Sequence, residues 1–122
     1  MHKILIVEDE ATLRDSYKLI LSTVPYDVSV ASDGAQALEL CETNKFDLIL
    51  LDIMMPHVDG VTFLKRYNDT PGPKSKVVVM SNLSSGDELS KAMALGAHRS
   101  VVKADVSPRE LLALVRKEVG AA

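Results

Sequence analysis

Five short apolar segments, each followed by a stretch whose apolar residues recur at helical spacing, constrain the fold of this chain more than any other feature. Three of the segments are continuous runs rich in Val, Ile and Leu, which is typical of strands buried on both faces of a sheet. The second segment alternates between apolar and polar residues, which suits an edge strand. The predicted strands are Lys3–Val7, Asp27–Ala31, Leu48–Asp52, Lys76–Met80 and Ser100–Lys103.

Helical patterns follow these strands, and several of their ends carry boundary signals. The apolar residues at helical spacing are Leu13, Tyr17, Ile20 and Leu21; Ala37, Leu38 and Cys41; Phe63, Leu64 and Tyr67; and Leu111, Leu112, Val115 and Val119. Ser107-Pro108-Arg109-Glu110 is a predicted capping box with proline at the first helical position, and Gly96 is a typical helix stop. Asp33 and Asp59, each before a glycine, are predicted helix caps. A strand followed by a helix, five times over, predicts an α/β fold: a doubly wound five-stranded parallel sheet with helices on both faces.

Length, composition and charge limit the function classes. With 122 residues, 47% of them apolar and 25% charged, the chain is predicted to be one globular domain over 1–122. A single cysteine, Cys41, excludes an internal disulfide and a thiolate zinc site. The net charge of −3 lacks the basic excess of a domain that binds nucleic acid through phosphates. No apolar run approaches the roughly 18 residues of a membrane span, and the N-terminus does not resemble a signal peptide. We therefore expect a cytoplasmic protein without membrane or direct nucleic-acid contact.

Polar side chains collect at the carboxyl ends of four predicted strands. They are Glu8, Asp9 and Glu10 after the first strand, Asp52 at the end of the third, Ser81 and Asn82 after the fourth, and Lys103 at the end of the fifth. In open parallel sheets ligands bind beyond this edge, so these groups are expected to share one site. Taken singly, Asp9 and Ser81 would also suit helix caps, and Lys103 a solvated loop. The agreement of four strand ends favours a common site.

Carboxylates this close repel one another, and a hard divalent cation relieves that repulsion. Mg²⁺ fits because it accepts one or two carboxylates together with waters and phosphate oxygens. With the cation present, a carboxylate oxygen can attack a phosphoryl group, while a lysine and a hydroxyl bind the phosphoryl oxygens. Asp52 is the predicted nucleophile because it ends the most apolar, and hence the most rigidly placed, strand.

With these residues in place, the chain resembles a receiver domain of bacterial two-component signalling over about residues 2–119. The resemblance lies in Ile4–Glu10, in Leu48–Gly60 with its Met-Met-Pro-x-x-Asp-Gly turn after Asp52, and in Gly96-Ala97 ahead of Val101–Lys103. It implies a flavodoxin-like (βα)5 fold with sheet order 2-1-3-4-5. It also implies that Asp52 accepts a phosphoryl group from the phosphohistidine of a sensor histidine kinase or phosphotransfer protein.

The resemblance assigns further roles around Asp52. It implies that Asp9 and Asp52 ligate Mg²⁺, that Glu8 does so directly or through water, and that Met54 offers its backbone carbonyl. Lys103 would hold a phosphoryl oxygen. The only catalysis implied is the domain's own phosphorylation and dephosphorylation.

The resemblance also implies how the signal leaves the site. Ser81 would move to bond the phosphoryl group and relay its presence to a face made by the last two helices and the fifth strand. The partner there would be a downstream protein, an effector domain outside this chain, or a second copy in a phosphorylation-dependent homodimer.

Three positions depart from the family pattern. Ala104 follows Lys103 where proline is usual, so we expect a strained loop or a rearranged trans one, because a cis bond before alanine costs about 3–4 kcal/mol. Ser100 stands where the family carries an aromatic switch residue, which weakens the usual coupling to the output face. Asn82 replaces a small residue and adds an amide beside the site.

Three other functions remain as alternatives. A degenerate receiver would act as a phosphate-independent interaction module, which the lost aromatic and proline favour and the intact acidic set opposes. A hydrolase acting through an aspartyl phosphate usually has a second Asp two residues past the nucleophile, where this chain has Met54. A flavin carrier of similar fold would need a phosphate-binding loop after the first strand, which is absent from the sequence.

Overall fold

A computed structural model describes residues 1–55, 57–82 and 86–120; Pro56 of the predicted turn motif lies outside them. Strands and helices alternate along the chain as predicted. The strands are β1 (Lys3–Val7), β2 (Asp27–Ala31), β3 (Leu48–Asp52), β4 (Lys76–Ser81) and β5 (Arg99–Val102). The helices are α1 (Ala11–Leu21), α2 (Gly34–Thr43), α3 (Gly60–Asn68), α4 (Gly86–Ala94) and α5 (Pro108–Val119), with a 3-10 turn at Lys103–Asp105.

The strands form one parallel sheet in the order β2-β1-β3-β4-β5, which confirms the predicted fold class and order. β2 lies at an edge, as its alternating sequence indicated. The register pairs Asp52 with Met80 and Ser81 with Val102, so the carboxyl ends of the central strands share one edge of the sheet. β5 ends one residue before Lys103 because Lys103 begins the 3-10 turn.

Two apolar clusters cover the two faces of the sheet. Alternate strand residues such as Leu5 and Ile49 pack with α2, α3 and α4, whereas Ile4 and Leu48 pack with α1 and α5. Every residue of β3 is buried, so the strand that ends in Asp52 is packed on both of its faces. Burial of each large apolar side chain contributes roughly 1.5–3 kcal/mol to the stability of the fold. The packed sheet therefore holds the residues at its edge in place.

The predicted helix boundaries are confirmed by hydrogen bonds and backbone geometry. The Thr62 amide donates to Asp59 Oδ1 over 2.8 Å, and the Gln36 amide donates to Asp33 Oδ1 over 2.9 Å. Gly96 has a φ of +102°, the left-handed conformation that glycine adopts without strain after a helix.

The capping box at the start of α5 predicts a measurable loss of stability. The Glu110 amide donates to Ser107 Oγ over 3.2 Å, and Ser107 Oγ donates to Glu110 Oε1 over 3.0 Å. Ser107→Ala is expected to lower the free energy of unfolding by about 1 kcal/mol, because an amide of the first turn loses its acceptor. Urea denaturation measures it, with the exposed Ser16→Ala on α1 as the control, expected to be near neutral. Equal stability of the two variants would contradict the prediction.

Helix α5 differs in one respect from its sequence pattern. Its apolar residues pack on the core as the spacing predicted, with Leu111 and Val115 buried and Leu112 and Val119 partly buried, but Glu118 is buried as well. The Glu118 carboxylate, with a side chain only 3% exposed, lies 2.9 Å from Arg99 Nε and 3.1 Å from His98 Nε2. Arg99 begins β5 and His98 directly precedes it, so these contacts attach the end of α5 to the sheet edge opposite Asp52.

Candidate functional site

Asp52 lies at the end of β3 and is 5% exposed. The Met54 amide donates to its Oδ1 over 3.3 Å, while the Met54 side chain is exposed to solvent. Burial raises the pKa of the Asp52 carboxyl, and the nearby Lys103 ammonium offsets part of that effect. Asp52 is therefore a carboxylate with a fixed orientation and little contact with water. Both properties favour its action as a nucleophile.

Lys103 bridges two carboxylates from different strands. Its Nζ lies 2.6 Å from Glu8 Oε1 and 2.9 Å from Asp52 Oδ2, and its side chain is 23% exposed. Burial disfavours the ammonium charge, but the contacts with Glu8 and Asp52 outweigh burial, so the pKa of Lys103 lies above its ordinary value. The lysine therefore keeps its positive charge beside the two carboxylates, at the strand end where the sequence predicted an ammonium.

Glu8 is the most buried acid of the group, with 2% exposure. Burial raises its pKa from 4.5 to about 7, despite the opposing effect of Lys103. Asp52 adds to the rise because a second negative charge lies nearby. Near neutral pH this carboxyl therefore takes up and releases a proton readily in the metal-free protein.

Three carboxylates converge at this edge, as the strand ends predicted. Glu8, Asp9 and Asp52 each place one oxygen within 4.8 Å of the others, and Asp9 is exposed. This all-oxygen donor set, open to water on the Asp9 side, is of the kind that Mg²⁺ prefers, since Mg²⁺ retains several waters. The residues therefore fit a magnesium ion by their chemistry and by their mutual distances. Asp9 is not the cap of α1, because Glu10 occupies that position.

The loop after Asp52 turns back against β3 through Gly60. The Gly60 amide donates to the Ile53 carbonyl over 3.0 Å, and a Cβ at position 60 would lie 2.7 Å from the Asp52 carbonyl oxygen. The Gly34 amide donates to the Val58 carbonyl over 3.0 Å, which ties the same loop to the start of α2. Both glycines are needed for close approach of backbone segments, a role that the Asp-Gly cap signals in the sequence did not reveal.

The remaining predicted positions lie at the same edge or on β5. Ser81 is buried at the end of β4, next to Val102 across the ladder. Ser100 is exposed on β5, so the position of the family's aromatic switch holds a small solvated side chain. The bond between Lys103 and Ala104 is trans, which confirms the rearranged alternative for this loop. The roles of Ser81 and Met54 remain predictions.

The raised pKa of Glu8 predicts that the metal-free protein loses stability as the pH rises from about 5 to 8. Between the unfolded value of 4.5 and about 7 the folded chain binds more protons than the unfolded chain, so deprotonation favours unfolding. Saturating Mg²⁺ is expected to reverse this trend, because it binds the deprotonated carboxylates. At 100 times its Kd, Mg²⁺ would stabilise the fold by about 2.7 kcal/mol.

Thermal unfolding in chelator and in Mg²⁺ across this pH range measures the effect. Glu8→Gln is the control, and its metal-free melting temperature is expected to vary less with pH than that of the wild type. The assignment would be contradicted if, in chelator, the melting temperatures of wild type and Glu8→Gln changed by the same amount between pH 5 and pH 8.

Comparison with known proteins identifies this arrangement. A family model described as the response regulator receiver domain matches residues 4–116. The chain belongs to the response regulator receiver domain family. The receiver domain is 30% identical, with a TM-score of 0.86, to the crystal structure of a CheY-like receiver domain protein from Methanospirillum hungatei JF-1, over 98% of this chain and 94% of that one.

Two curated relatives of the receiver domain are named as transcriptional regulators. It is 35% identical over 117 residues to the probable transcriptional regulator ycf27 of Porphyridium aerugineum, covering 93% of this chain and 46% of that protein. It is 36% identical over 116 residues to the alkaline phosphatase synthesis transcriptional regulatory protein PhoP of Bacillus subtilis (strain 168), covering 93% and 47%. The chain thus spans about half the length of these relatives. Within residues 1–55, 57–82 and 86–120, no helix has both the length and the apolar character to cross a membrane.

Proposed function

We propose that this receiver domain accepts a phosphoryl group on Asp52 from the phosphohistidine of a sensor histidine kinase or phosphotransfer protein, in a reaction that requires Mg²⁺. The observation that carries the proposal is the buried Asp52 carboxylate with Lys103 Nζ at 2.9 Å and the oxygens of Glu8 and Asp9 within 4.8 Å. Asp52 Oδ would attack phosphorus as the phosphorus–nitrogen bond breaks, so that a new phosphorus–oxygen bond forms and the imidazole leaves.

The residues of this chain supply most of what the transfer needs. Glu8, Asp9, Asp52 and the Met54 carbonyl are the proposed Mg²⁺ ligands, and the ion when bound would neutralise charge on the phosphoryl oxygens. Lys103 lies on the side of Asp52 Oδ2 and would hold one of those oxygens. Burial of Asp52 strips water from the attacking oxygen, while Met54 orients the carboxylate through its amide.

The proposed output surface is the face made by α4, β5 and α5. Lys103 begins the segment that joins β5 to α5, so a displacement of its ammonium toward a phosphoryl group would be transmitted along that segment toward α5. Ser81 is the proposed partner of the phosphoryl group on β4. Two relatives are named as transcriptional regulators, and the proposed target is therefore an effector domain, a downstream protein or a second copy of the receiver, within the cytoplasm.

Intact-mass spectrometry after incubation with a small-molecule phosphodonor tests the proposal. Wild type is expected to gain one phosphoryl group with Mg²⁺ and none with chelator, and Asp52→Asn none in either. Asp59→Asn in the same loop is the matched control and should still gain the group, because asparagine also caps a helix. A phosphoryl gain by Asp52→Asn equal to that of wild type would refute the assignment of the acceptor. No gain by wild type together with no Mg²⁺ binding would instead favour a phosphate-independent interaction module.

A further inference from the structure

Arg14 is the one arginine of α1, and its side chain turns back to the loop that carries the acidic residues. Its Nη1 donates to the Glu8 carbonyl over 3.0 Å and to the Asp9 carbonyl over 3.3 Å. The side chain is half-buried, and both of these acceptors are backbone oxygens. The sequence pattern of α1 gave no reason to single it out.

These two carbonyls belong to the peptide groups on either side of the Asp9 Cα. Holding both peptide planes restricts φ and ψ of Asp9, and with them the direction in which its side chain leaves the backbone. The second peptide group is held at both ends, because the Glu10 amide donates to Glu8 Oε2 over 3.2 Å. Arg14 and Glu8 thus bind the two ends of the peptide group between Asp9 and Glu10. The Asp9 side chain is exposed, so its direction depends on this backbone more than on packing.

Arg14 also places a positive charge beside the backbone of the acidic loop, and this charge is expected to have the opposite effect on cation binding. If charge alone mattered, removing the guanidinium would strengthen the binding of a divalent cation, since one competing positive charge would be lost. If the hydrogen bonds to the loop matter more, removing it would weaken binding, because Asp9 would sample orientations that do not face Glu8 and Asp52. The two effects differ in sign and can be separated by measurement.

We propose that Arg14 is a positioning residue which, through the Glu8 and Asp9 carbonyls, holds the acidic loop in the geometry that binds a divalent cation. This inference rests on the proposed Mg²⁺ dependence of phosphoryl transfer. In this role Arg14 holds the carboxylates near their binding positions before the cation binds. Arg14 touches neither the phosphoryl group nor the reacting oxygen in this role.

Isothermal titration of chelator-stripped protein with MgCl₂ tests the inference. Arg14→Ala is expected to raise the Mg²⁺ Kd at least about tenfold, as is typical when a group that orients metal ligands is lost. Arg14→Lys is expected to lie between Arg14→Ala and wild type, because lysine keeps the charge but lacks the planar guanidinium. Lys18→Ala, which removes an exposed cation one turn further along α1, is the matched control and should leave the Kd unchanged or slightly lower. At saturating Mg²⁺ the phosphorylation rate of Arg14→Ala should approach that of wild type.

A second readout needs no metal. Amide hydrogen exchange at Glu10 in metal-free protein is expected to be at least about tenfold faster in Arg14→Ala than in wild type or Lys18→Ala, because the peptide loses one of its two anchors. A Mg²⁺ Kd for Arg14→Ala equal to or below that of wild type would overturn the inference. Unchanged Glu10 exchange would overturn it as well. If wild type itself binds no Mg²⁺, the proposed function fails, and the exchange experiment still decides whether Arg14 holds the loop.

Discussion

Gly60→Ala is expected to lower the free energy of unfolding by about 3 kcal/mol, near the upper end for overpacking of a tight contact. The new Cβ would lie 2.7 Å from the Asp52 carbonyl oxygen and 2.8 Å from the Ile53 Cα. Both contacts are with backbone, and β3 is buried along its whole length, so no flexible side chain can yield. The loop or the end of β3 must shift, and the Asp52 carboxylate shifts with it. Slower phosphoryl gain is therefore expected together with the lost stability.

Gly86→Ala is the matched control for this change. Gly86 is the first residue of α4, as Gly60 is of α3, but a Cβ there would meet no atom within 4 Å among the described residues outside its chain neighbours and its own helix backbone. Its substitution is expected to be neutral or stabilising by up to about 1 kcal/mol, because alanine restricts the unfolded chain. Urea denaturation of both variants measures the difference. Similar stability of the two variants would contradict the prediction, because it would mean that the backbone around position 60 moves away from the new Cβ at little cost.

Lys103→Met is expected to lower the free energy of unfolding of metal-free protein by about 2–3 kcal/mol near neutral pH. The change removes the cation that lies within 2.9 Å of both Glu8 and Asp52 and keeps a side chain of similar length. Removal of one partner from a buried ion pair costs about 3–5 kcal/mol, and the partial exposure of Lys103 reduces that figure. The loss should shrink as the pH falls, because burial already raises the pKa of both carboxyls and protonation removes the unpaired charge.

Denaturation of metal-free Lys103→Met near pH 5 and pH 7.5, and with Mg²⁺ at the higher pH, measures these effects. Mg²⁺ should restore much of the lost stability, since it supplies the missing positive charge. Lys91→Met is the control: its ammonium pairs with Glu88 on the surface over 3.1 Å, so less than about 1 kcal/mol is expected. An equal loss in the two variants would mean that the buried carboxylates do not depend on Lys103.

Much of the site could be predicted from the sequence because strand periodicity is a local property. Continuous apolar runs mark the buried strands, and a parallel sheet brings their carboxyl ends to one edge, which is why Asp52, Glu8 and Lys103 were expected together. Helix caps are local as well, so Asp59 and Ser107 were identified from their neighbours alone. The predictions for Ser81 and Met54 came from the family resemblance and await the phosphorylation experiments.

The sequence by itself determined the order of elements, the class of sheet and the set of polar residues at its edge. Only the tertiary structure showed that Gly60 has no room for a side chain, that Arg14 holds the acidic loop, and that Glu118 is the buried acid of α5. Each of these features depends on a contact with another part of the fold. Gly60 lies against the backbone of β3 and Ile53, Arg14 binds the loop after β1, and Glu118 pairs with Arg99 of β5. Hydrophobic periodicity describes which face of an element is buried, but it does not describe the distance or direction between two elements. Those distances are set by packing of the whole core.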